Sequence, residues 1–341
     1  MRASLSVLAC LALLACAGPE PASNAGQEGA TGVVDPLPSW NDGPARSAVL
    51  DFVARVTAPG SPDFVPEAER VAVFDNDGTL WAEQPLYFQL AFAIDRAREL
   101  AVADPELAEN ALLKALASGE PAALAGVTEH DVLDVIARTH SGLTLEEFSS
   151  VVSEWLATAR HPRFDRPYTE LVYQPMLELL AYLRASGFKT FIVSGGGIDF
   201  MRTFAEEVYG VRPEQVVGSM GKLGFEIRNG VPVLVKLPGV YFLDDKEGKP
   251  VGIARFIGRR PILAFGNSDG DLAMLQYTAG GDGARFVGIV HHDDDDREWA
   301  YDRESKIGHL DAALDEAEAR GWTVVSMRDD FATVFPPDSG E

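Results

Sequence analysis

The sequence predicts an α/β fold, namely a doubly wound, Rossmann-like parallel sheet with an inserted all-helical cap subdomain and a small β-hairpin. Short apolar segments at 71–74, 189–193 and 262–265 have the length and composition of buried strands, and they alternate with helical segments. Between about 82 and 166 the pattern is helical only, which indicates a subdomain inserted into the sheet. Asn229-Gly230 between two apolar runs is the sequence signal of a hairpin turn.

The N-terminus has the pattern of a targeting segment. Residues 1–15 read as a signal peptide, since Arg2 precedes an apolar run that is too short to span a membrane. Leu13-Leu14-Ala15-Cys16 resembles the lipobox of bacterial lipoproteins. The resemblance implies lipidation of Cys16 and export, with the lipid as the single membrane anchor and the domain facing the periplasm; the outer membrane is favoured over the inner one. Ordinary signal cleavage is the alternative. Residues 16–45, rich in Gly, Pro, Ala and Ser, are expected to form a flexible linker.

The remaining segments are assigned in chain order. Residues 46–81 and 167–341 are expected to form the α/β core, and residues 82–166 the helical cap. Helical spacing predicts helices at 47–56, 86–102, 105–118, 129–139, 145–159, 176–186, 198–209, 251–257, 271–276 and 307–320. Apolar runs predict strands at 71–74, 189–193, 215–217, 225–228, 231–235, 262–265, 286–290 and 323–325.

The charge balance restricts the partners of this protein. The 341 residues include 29 Lys and Arg against 52 Asp and Glu, a formal net charge of −23. Nucleic-acid binding requires a basic surface, so this class of partner is excluded. An anionic substrate needs a locally positive site inside this negative envelope.

Polar clusters follow three of the predicted strands. They are Asp75-Asn76-Asp77-Gly78-Thr79, Ser194-Gly195-Gly196-Gly197 and Gly266-Asn267-Ser268-Asp269-Gly270-Asp271. The carboxyl ends of parallel strands meet at one edge of a sheet, where such folds bind ligands. A hydroxyl group and free backbone N–H groups before a helix suit a phosphate, and grouped carboxylate and amide oxygens suit Mg²⁺. Lys246 and Lys249 precede the third strand.

The order and spacing of these clusters resemble the haloacid dehalogenase-like hydrolase superfamily, in its phosphoserine-phosphatase-like branch with a helical cap. The resemblance covers roughly residues 68 to 330. The first cluster matches the family's Asp-x-Asp-x-Thr motif in full, and Ser194 matches the Ser or Thr of its second motif. A lysine ahead of the last catalytic strand is the third motif, and residues 266–271 are a near variant of the fourth, Gly-Asp-x-x-x-Asp.

The resemblance implies Mg²⁺-dependent hydrolysis of a small phosphorylated metabolite, a phosphate monoester, through an aspartyl-phosphate. Asp75 would be the nucleophile and Asp77 the general acid and base. Ser194 and a lysine, with Lys249 preferred over Lys246, would stabilise the phosphoryl group. The further substrate- or phosphate-binding positions that it implies are Thr79, Gly195, Gly196 and Glu83.

The metal ligands implied by the resemblance are Asp75, Asp77 through its backbone carbonyl, Asn267 and Asp271. Asn267 stands where the family usually has an acid, and Asp269 is an additional candidate. His291 and His292, at the end of the following strand, are interpreted either as structural residues or as contacts to substrate or to a second metal. The alternative functions are phosphotransfer or mutase chemistry on the same scaffold, and a non-catalytic binding lipoprotein.

Overall fold

The computed structural model describes residues 35–118 and 129–338, apart from the side chains of residues 116 and 129–134. The predicted signal peptide, Cys16 and most of the predicted linker therefore lie outside the described residues. The described residues from Pro36 onward form one compact unit. No helix within the described residues is long and apolar enough to cross a membrane.

A single sheet organises the described residues. Its strands are β1 (Val71–Phe74), β2 (Lys189–Gly197), β3 (Val216–Arg228), β4 (Val231–Phe242), β5 (Leu263–Gly266), β6 (Phe286–Asp293), β7 (Ala300–Tyr301) and β8 (Thr323–Ser326). The order is β4-β3-β2-β1-β5-β6, and β7 and β8 both pair with β6. Pairing is parallel from β3 to β6 and between β6 and β8, whereas β4 and β7 pair antiparallel.

Helices cover both faces of this sheet and form the cap. They are α1 (Pro44–Thr57), α2 (Phe88–Leu100), α3 (Pro105–Ala108), α4 (Ala111–Ser118), α5 (Glu129–His140), α6 (Leu145–Thr158), α7 (Gln174–Ala185), α8 (Ile198–Met201), α9 (Ala205–Tyr209), α10 (Gly248–Gly252), α11 (Leu272–Ala279), α12 (Ala312–Arg320) and α13 (Met327–Asp330). A π-helical turn, Ile253–Ile257, continues α10.

Strand β1 is the centre of the core because each of its four residues is buried. Ala72 and Phe74 pack with side chains from α1 and α7, whereas Val71 and Val73 pack with side chains from α11 and α12 on the other face. Successive strand residues point to opposite faces, so an unbroken apolar run is what a doubly covered strand requires. The predicted doubly wound α/β fold class is thus confirmed.

Helices α2–α6 lie between β1 and β2 in the chain. Helices α2–α5 share a small core of their own, whereas Phe148 and Val152 of α6 belong to the main core. Members of the small core are Ala93, Ile94, Leu107, Leu112 and Val135. A capping box is present at the start of α6: Thr144 Oγ1 accepts from the Glu147 N–H, and the Glu147 carboxylate accepts from the Thr144 N–H. The insertion is not isolated from the hairpin, since Thr144 forms a β-bridge with Val235 of β4.

Several predicted boundaries are wrong. Residues 36–45 belong to the core and not to a flexible linker: Leu37 is fully buried, and Trp40 Nε1 donates a hydrogen bond to the Pro175 carbonyl, 2.9 Å away. The hairpin is longer than predicted because β3 continues from the parallel sheet directly into it. The single helix predicted over 198–209 is broken into α8 and α9.

Candidate active site

The loops after β1 and β5 and the last residues of β2 converge at the carboxyl edge of the sheet. The strands are adjacent and parallel, and the Asp75 backbone N–H donates to the Phe265 carbonyl, 3.0 Å away, on β5. The first and third predicted clusters are therefore side by side. Strand β2, on the other side of β1, brings Ser194 and the glycines after it to the same edge.

Lys249 is the cation at the centre of the site. Its Nζ lies 2.6 Å from Asp75 Oδ1 and 2.5 Å from Asp271 Oδ1. The side chain is 2% exposed, and α10 carries it beneath the ends of β1 and β5. Lys246, the alternative from the sequence, is exposed on the preceding turn. The structure places Lys249, and not Lys246, against the two carboxylates.

Asp75 lies in an environment with more negative than positive charge. Burial, Asp271 and Asp77 together raise its pKa to about 8, against the opposing effect of Lys249. Burial alone would lower the pKa of Lys249, but Asp271 and Asp75 raise it above its ordinary value. Within the described residues, the Lys249 ammonium group is thus the one contacting cation of Asp75 and Asp271, with Asp77 close by. Additional positive charge would stabilise this arrangement.

Asp77 has different partners from Asp75. Its Oδ1 accepts a hydrogen bond of 2.9 Å from Trp81 Nε1, and burial raises its pKa. Its Oδ2 faces the glycines at the end of β2, where a β-carbon built on Gly196 would lie 3.6 Å from it. A protonated Asp77 could thus present a proton toward these glycines while Asp75 stays paired with Lys249.

The end of β2, Ser194 to Gly197, already forms hydrogen bonds. Ser194 Oγ accepts from the Gly196 N–H at 3.1 Å, and the Gly197 N–H donates to Gln89 Oε1 of α2 at 2.7 Å. Gly195 lies beside Asp245 at the edge of the site. The helix that follows these glycines, α8, has only four residues. Its dipole therefore favours a bound anion less than the longer helix predicted over 198–209 would.

Asn267, Thr79 and Glu83 form a buried network. Thr79 Oγ1 donates to Asn267 Oδ1 at 3.1 Å, and Asn267 Nδ2 donates to Glu83 Oε1 at 2.7 Å. Tyr301 also donates to Glu83 Oε1, at 2.8 Å, and burial raises the pKa of Glu83 to about 8. Thr79 and Glu83, which are assigned to substrate or phosphate binding from the sequence, both hydrogen-bond Asn267 in the structure, and Glu83 is 2% exposed. Their contact with substrate stays a prediction.

Asp271 and Asp269 have separate roles. Asp271 Oδ2 accepts from the backbone N–H groups of Asn267 and Ser268, at 2.9 and 3.1 Å, and the side chain is fully buried. Asp269 instead accepts from the N–H groups at the start of α12, at 2.9–3.1 Å. Asp269 therefore caps a helix, and the structure does not bring it into the site.

The donor set fits Mg²⁺ at this edge of the sheet. Asp75 and Asp271 provide carboxylate oxygens, and Asn267 and the Asp77 backbone provide neutral carbonyl oxygens, as hard cations prefer. Within the described residues there is no group of three or more His, Cys, Asp or Glu side chains arranged as a metal cluster. The fit thus depends on the two neutral oxygens and on the excess negative charge around Asp75.

His292 is a further residue that shapes the site. Its Nε2 donates to the Gly78 carbonyl at 2.7 Å, and its Nδ1 lies 3.1 Å from Glu298 Oε2. Burial alone would lower the pKa of His292, but Glu298 raises it. The imidazole fixes the loop that carries Asp75 and Asp77. The sequence marks His292 at a strand end, but gives no signal that Glu298 or Gly78 would be its partners.

Comparison with known proteins identifies one family. Residues 72–276 match the haloacid dehalogenase-like hydrolase family. No curated protein matches the sequence.

Several solved structures are similar. A conserved, functionally unknown protein from Anaerococcus prevotii DSM 20548 has 16% identity over 82% of this chain and 90% of its own, with a TM-score of 0.50. A protein with unknown function from Bordetella pertussis Tohama I has 17% identity over 75% of this chain and 98% of its own, with a TM-score of 0.49. A phosphoserine phosphohydrolase-like protein from Francisella tularensis subsp. tularensis SCHU S4 has 16% identity over 74% and 99%, with a TM-score of 0.36. The first of these similarities supports the α/β fold.

Proposed function

The chain belongs to the haloacid dehalogenase-like hydrolase family, and we propose that it is a Mg²⁺-dependent phosphatase that hydrolyses a small-molecule phosphate monoester through an aspartyl-phosphate. The observation that carries this proposal is the bridging position of Lys249 between Asp75 and Asp271, with Asp77 held apart by Trp81. This arrangement supports two different roles for two neighbouring aspartates.

In the first step a carboxylate oxygen of Asp75 attacks phosphorus. The bond from phosphorus to the leaving oxygen breaks, and Asp77 gives that oxygen its proton. Lys249 offsets negative charge on Asp75 and on the phosphoryl oxygens, and the Ser194 hydroxyl donates to one of them.

In the second step Asp77, now ionised, takes a proton from water. The water oxygen attacks phosphorus and the bond to Asp75 breaks, which returns both aspartates to their starting states. Asp75, Asp271, the Asn267 amide and the Asp77 backbone carbonyl would hold Mg²⁺. When bound, Mg²⁺ supplies positive charge beside the reacting phosphoryl oxygens.

The test is phosphate release by the purified domain lacking residues 1–16, assayed on a panel of monoesters with Mg²⁺ and with a chelator. We expect release that requires Mg²⁺ and that is lost in Asp75→Asn, with the fold of the variant shown by circular dichroism. Release of no phosphate from any member by folded protein would overturn the proposal and favour a binding role. Transfer to an acceptor without net release would favour the phosphotransferase alternative.

A further inference from the structure

A large cavity lies between the cap helices and the hairpin. Its volume is about 810 Å³, within the range of ~300–1,000 Å³ typical of small-molecule sites. Helices α5 and α6, α8 and strands β3 and β4 provide its walls. Most of the lining side chains are apolar, notably Ile136, Phe148, Phe200, Met220, Leu237 and Val240.

The cavity adjoins the end of β2, next to the site already described. Gly195 and Gly197 line it, as does Gln89, which accepts a hydrogen bond from the Gly197 N–H. A β-carbon built on Gly196, between the two, would lie 3.6 Å from Asp77 Oδ2. Asp77 is the residue that would protonate the leaving oxygen. The organic part attached to that oxygen would therefore extend into this cavity.

The charged groups of the cavity wall neutralise each other. Lys236 forms an ion pair with Asp199, and its Nζ lies 4.4 Å from the centroid of the Phe148 ring. Among the described lining residues no other Lys, Arg, Asp or Glu is present. The wall thus offers no uncompensated cation for a second phosphate or for a carboxylate of the substrate.

His140 is neutral in this wall. Thr139 Oγ1 donates its proton to the Val135 carbonyl at 2.7 Å, so it accepts from His140 Nδ1, also at 2.7 Å. His140 Nε2 is then free to accept from Gln89 Nε2, at 3.3 Å. Burial lowers the pKa of His140 to about 3, consistent with this tautomer.

We infer that the substrate is a phosphate monoester of a hydrophobic, uncharged alcohol, with an alkyl or aryl group bound in this cavity. The orientation of the substrate depends on the proposed function, whereas its apolar character depends on the cavity alone. Hydrolysis releases phosphate and the alcohol, whose oxygen carries the proton from Asp77. The mouth of the cavity is apolar as well, since Leu237, Val240 and Leu243 are 39, 53 and 60% exposed, so a longer chain is accommodated.

The test compares ethyl, butyl and hexyl phosphate as substrates. Burying one methylene favours binding by about fourfold, so we expect kcat/KM for hexyl phosphate to exceed that for ethyl phosphate by at least about tenfold. Leu237→Asp places a charge at the cavity wall and should remove most of this ratio. Leu234→Asp is the matched control, because Leu234 lies on the same strand with 42% exposure but outside the lining, and it should keep the ratio.

A binding measurement separates this inference from the proposed function. Calorimetry with Asp75→Asn and the same three phosphates reports affinity without turnover. Tighter binding of hexyl phosphate, abolished by adding Leu237→Asp, supports the inference even if no phosphate is released. Turnover with no dependence on chain length overturns the inference and leaves the phosphatase proposal intact. Equal binding of all three phosphates to Asp75→Asn overturns the inference, whereas the phosphatase proposal is overturned only if the parent protein releases phosphate from no member of the monoester panel.

Discussion

Asp75 and Asp77 are identical side chains in different surroundings. Lys249 holds one oxygen of Asp75, whereas the Trp81 indole holds one oxygen of Asp77. Burial raises the pKa of both, but an ammonium group is in direct contact with Asp75 only. Two acids with the same intrinsic pKa can be a nucleophile and a proton donor because their neighbours differ.

Lys249 should matter for stability as well as for activity. Lys249→Gln leaves Asp75 and Asp271 buried without their cation, and we expect a loss of about 3–5 kcal/mol in the free energy of unfolding. Activity should fall at least about 100-fold, since an electrostatic partner of the reacting group is lost. Urea unfolding and kcat measure the two effects. Lys246→Gln, three residues earlier and exposed, is the control; an equal effect of both changes would contradict the assignment.

Asp244 should make the protein less stable at neutral pH than at about pH 4. It is fully buried, and within the described part of the chain neither of its carboxylate oxygens has a hydrogen-bond partner. Burial raises its pKa from 3.8 to about 7. Between these values the folded chain binds a proton that the unfolded chain lacks, so stability falls as pH rises from about 4 to about 7.

Asp244→Asn removes this penalty. We expect the variant to gain stability over the parent at pH 8, by roughly 2 kcal/mol more than at pH 5, from urea unfolding at both values. Asp51→Asn, at an exposed position of α1, is the control and should show no such difference. A gain that is the same at both pH values would show that the charge of Asp244 is not the cause.

At the scale of elements, parallel pairing turns distant motifs into neighbours. The apolar runs that form β1, β2 and β5 are visible in the sequence, and their shared edge follows from the parallel fold. Contacts made by loops are not visible in this way. Asp269 is a plausible ligand by spacing, yet it caps α12, and its partners lie some forty residues away in sequence. The length of the hairpin could not be predicted either. Glycines and exposed apolar residues in β3 interrupt the alternation of apolar and polar residues that marks a strand.

Gly78 shows how closely the β1 loop approaches the β5 loop. Its φ is +73°, and a β-carbon there would lie 2.0 Å from Asn267 Nδ2. Gly78→Ala should therefore displace Asn267 and lower kcat/KM by about 100-fold. Gly60→Ala has a similar φ of +85° with no atom within 4 Å, so it introduces the backbone strain alone.

The two alanine variants are compared by kinetics and by unfolding. Gly60→Ala should cost about 1 kcal/mol of stability, the strain of a left-handed residue, with parental activity. Parental kcat/KM in Gly78→Ala would show that the position of Asn267 does not matter for the reaction.

At the scale of the whole molecule, an acidic protein of net charge −23 encloses a site built around one buried lysine. The acidic composition argues against nucleic acid as a partner, and the motif order predicts both the fold class and the family. The cavity could not be predicted, because its lining comes from the cap, β2, α8 and both hairpin strands. Each of these segments has an ordinary apolar pattern on its own.

We propose that a lipid on Cys16, in the N-terminal segment, anchors the protein to a membrane. If Cys16 is lipidated, Cys16→Ser in the full chain should move the protein from the membrane fraction to the soluble fraction, as measured by immunoblotting of fractionated cells. Membrane association that is unchanged by this substitution would contradict lipidation at Cys16.

The central claim is that Asp75 becomes phosphorylated during turnover. The direct measurement is mass spectrometry of peptides from enzyme quenched with acid during reaction with a turned-over monoester and Mg²⁺. We expect one phosphoryl group on the peptide that contains Asp75, and none in Asp75→Asn. Phosphate on a different residue, or parental turnover by Asp75→Asn, would contradict the account.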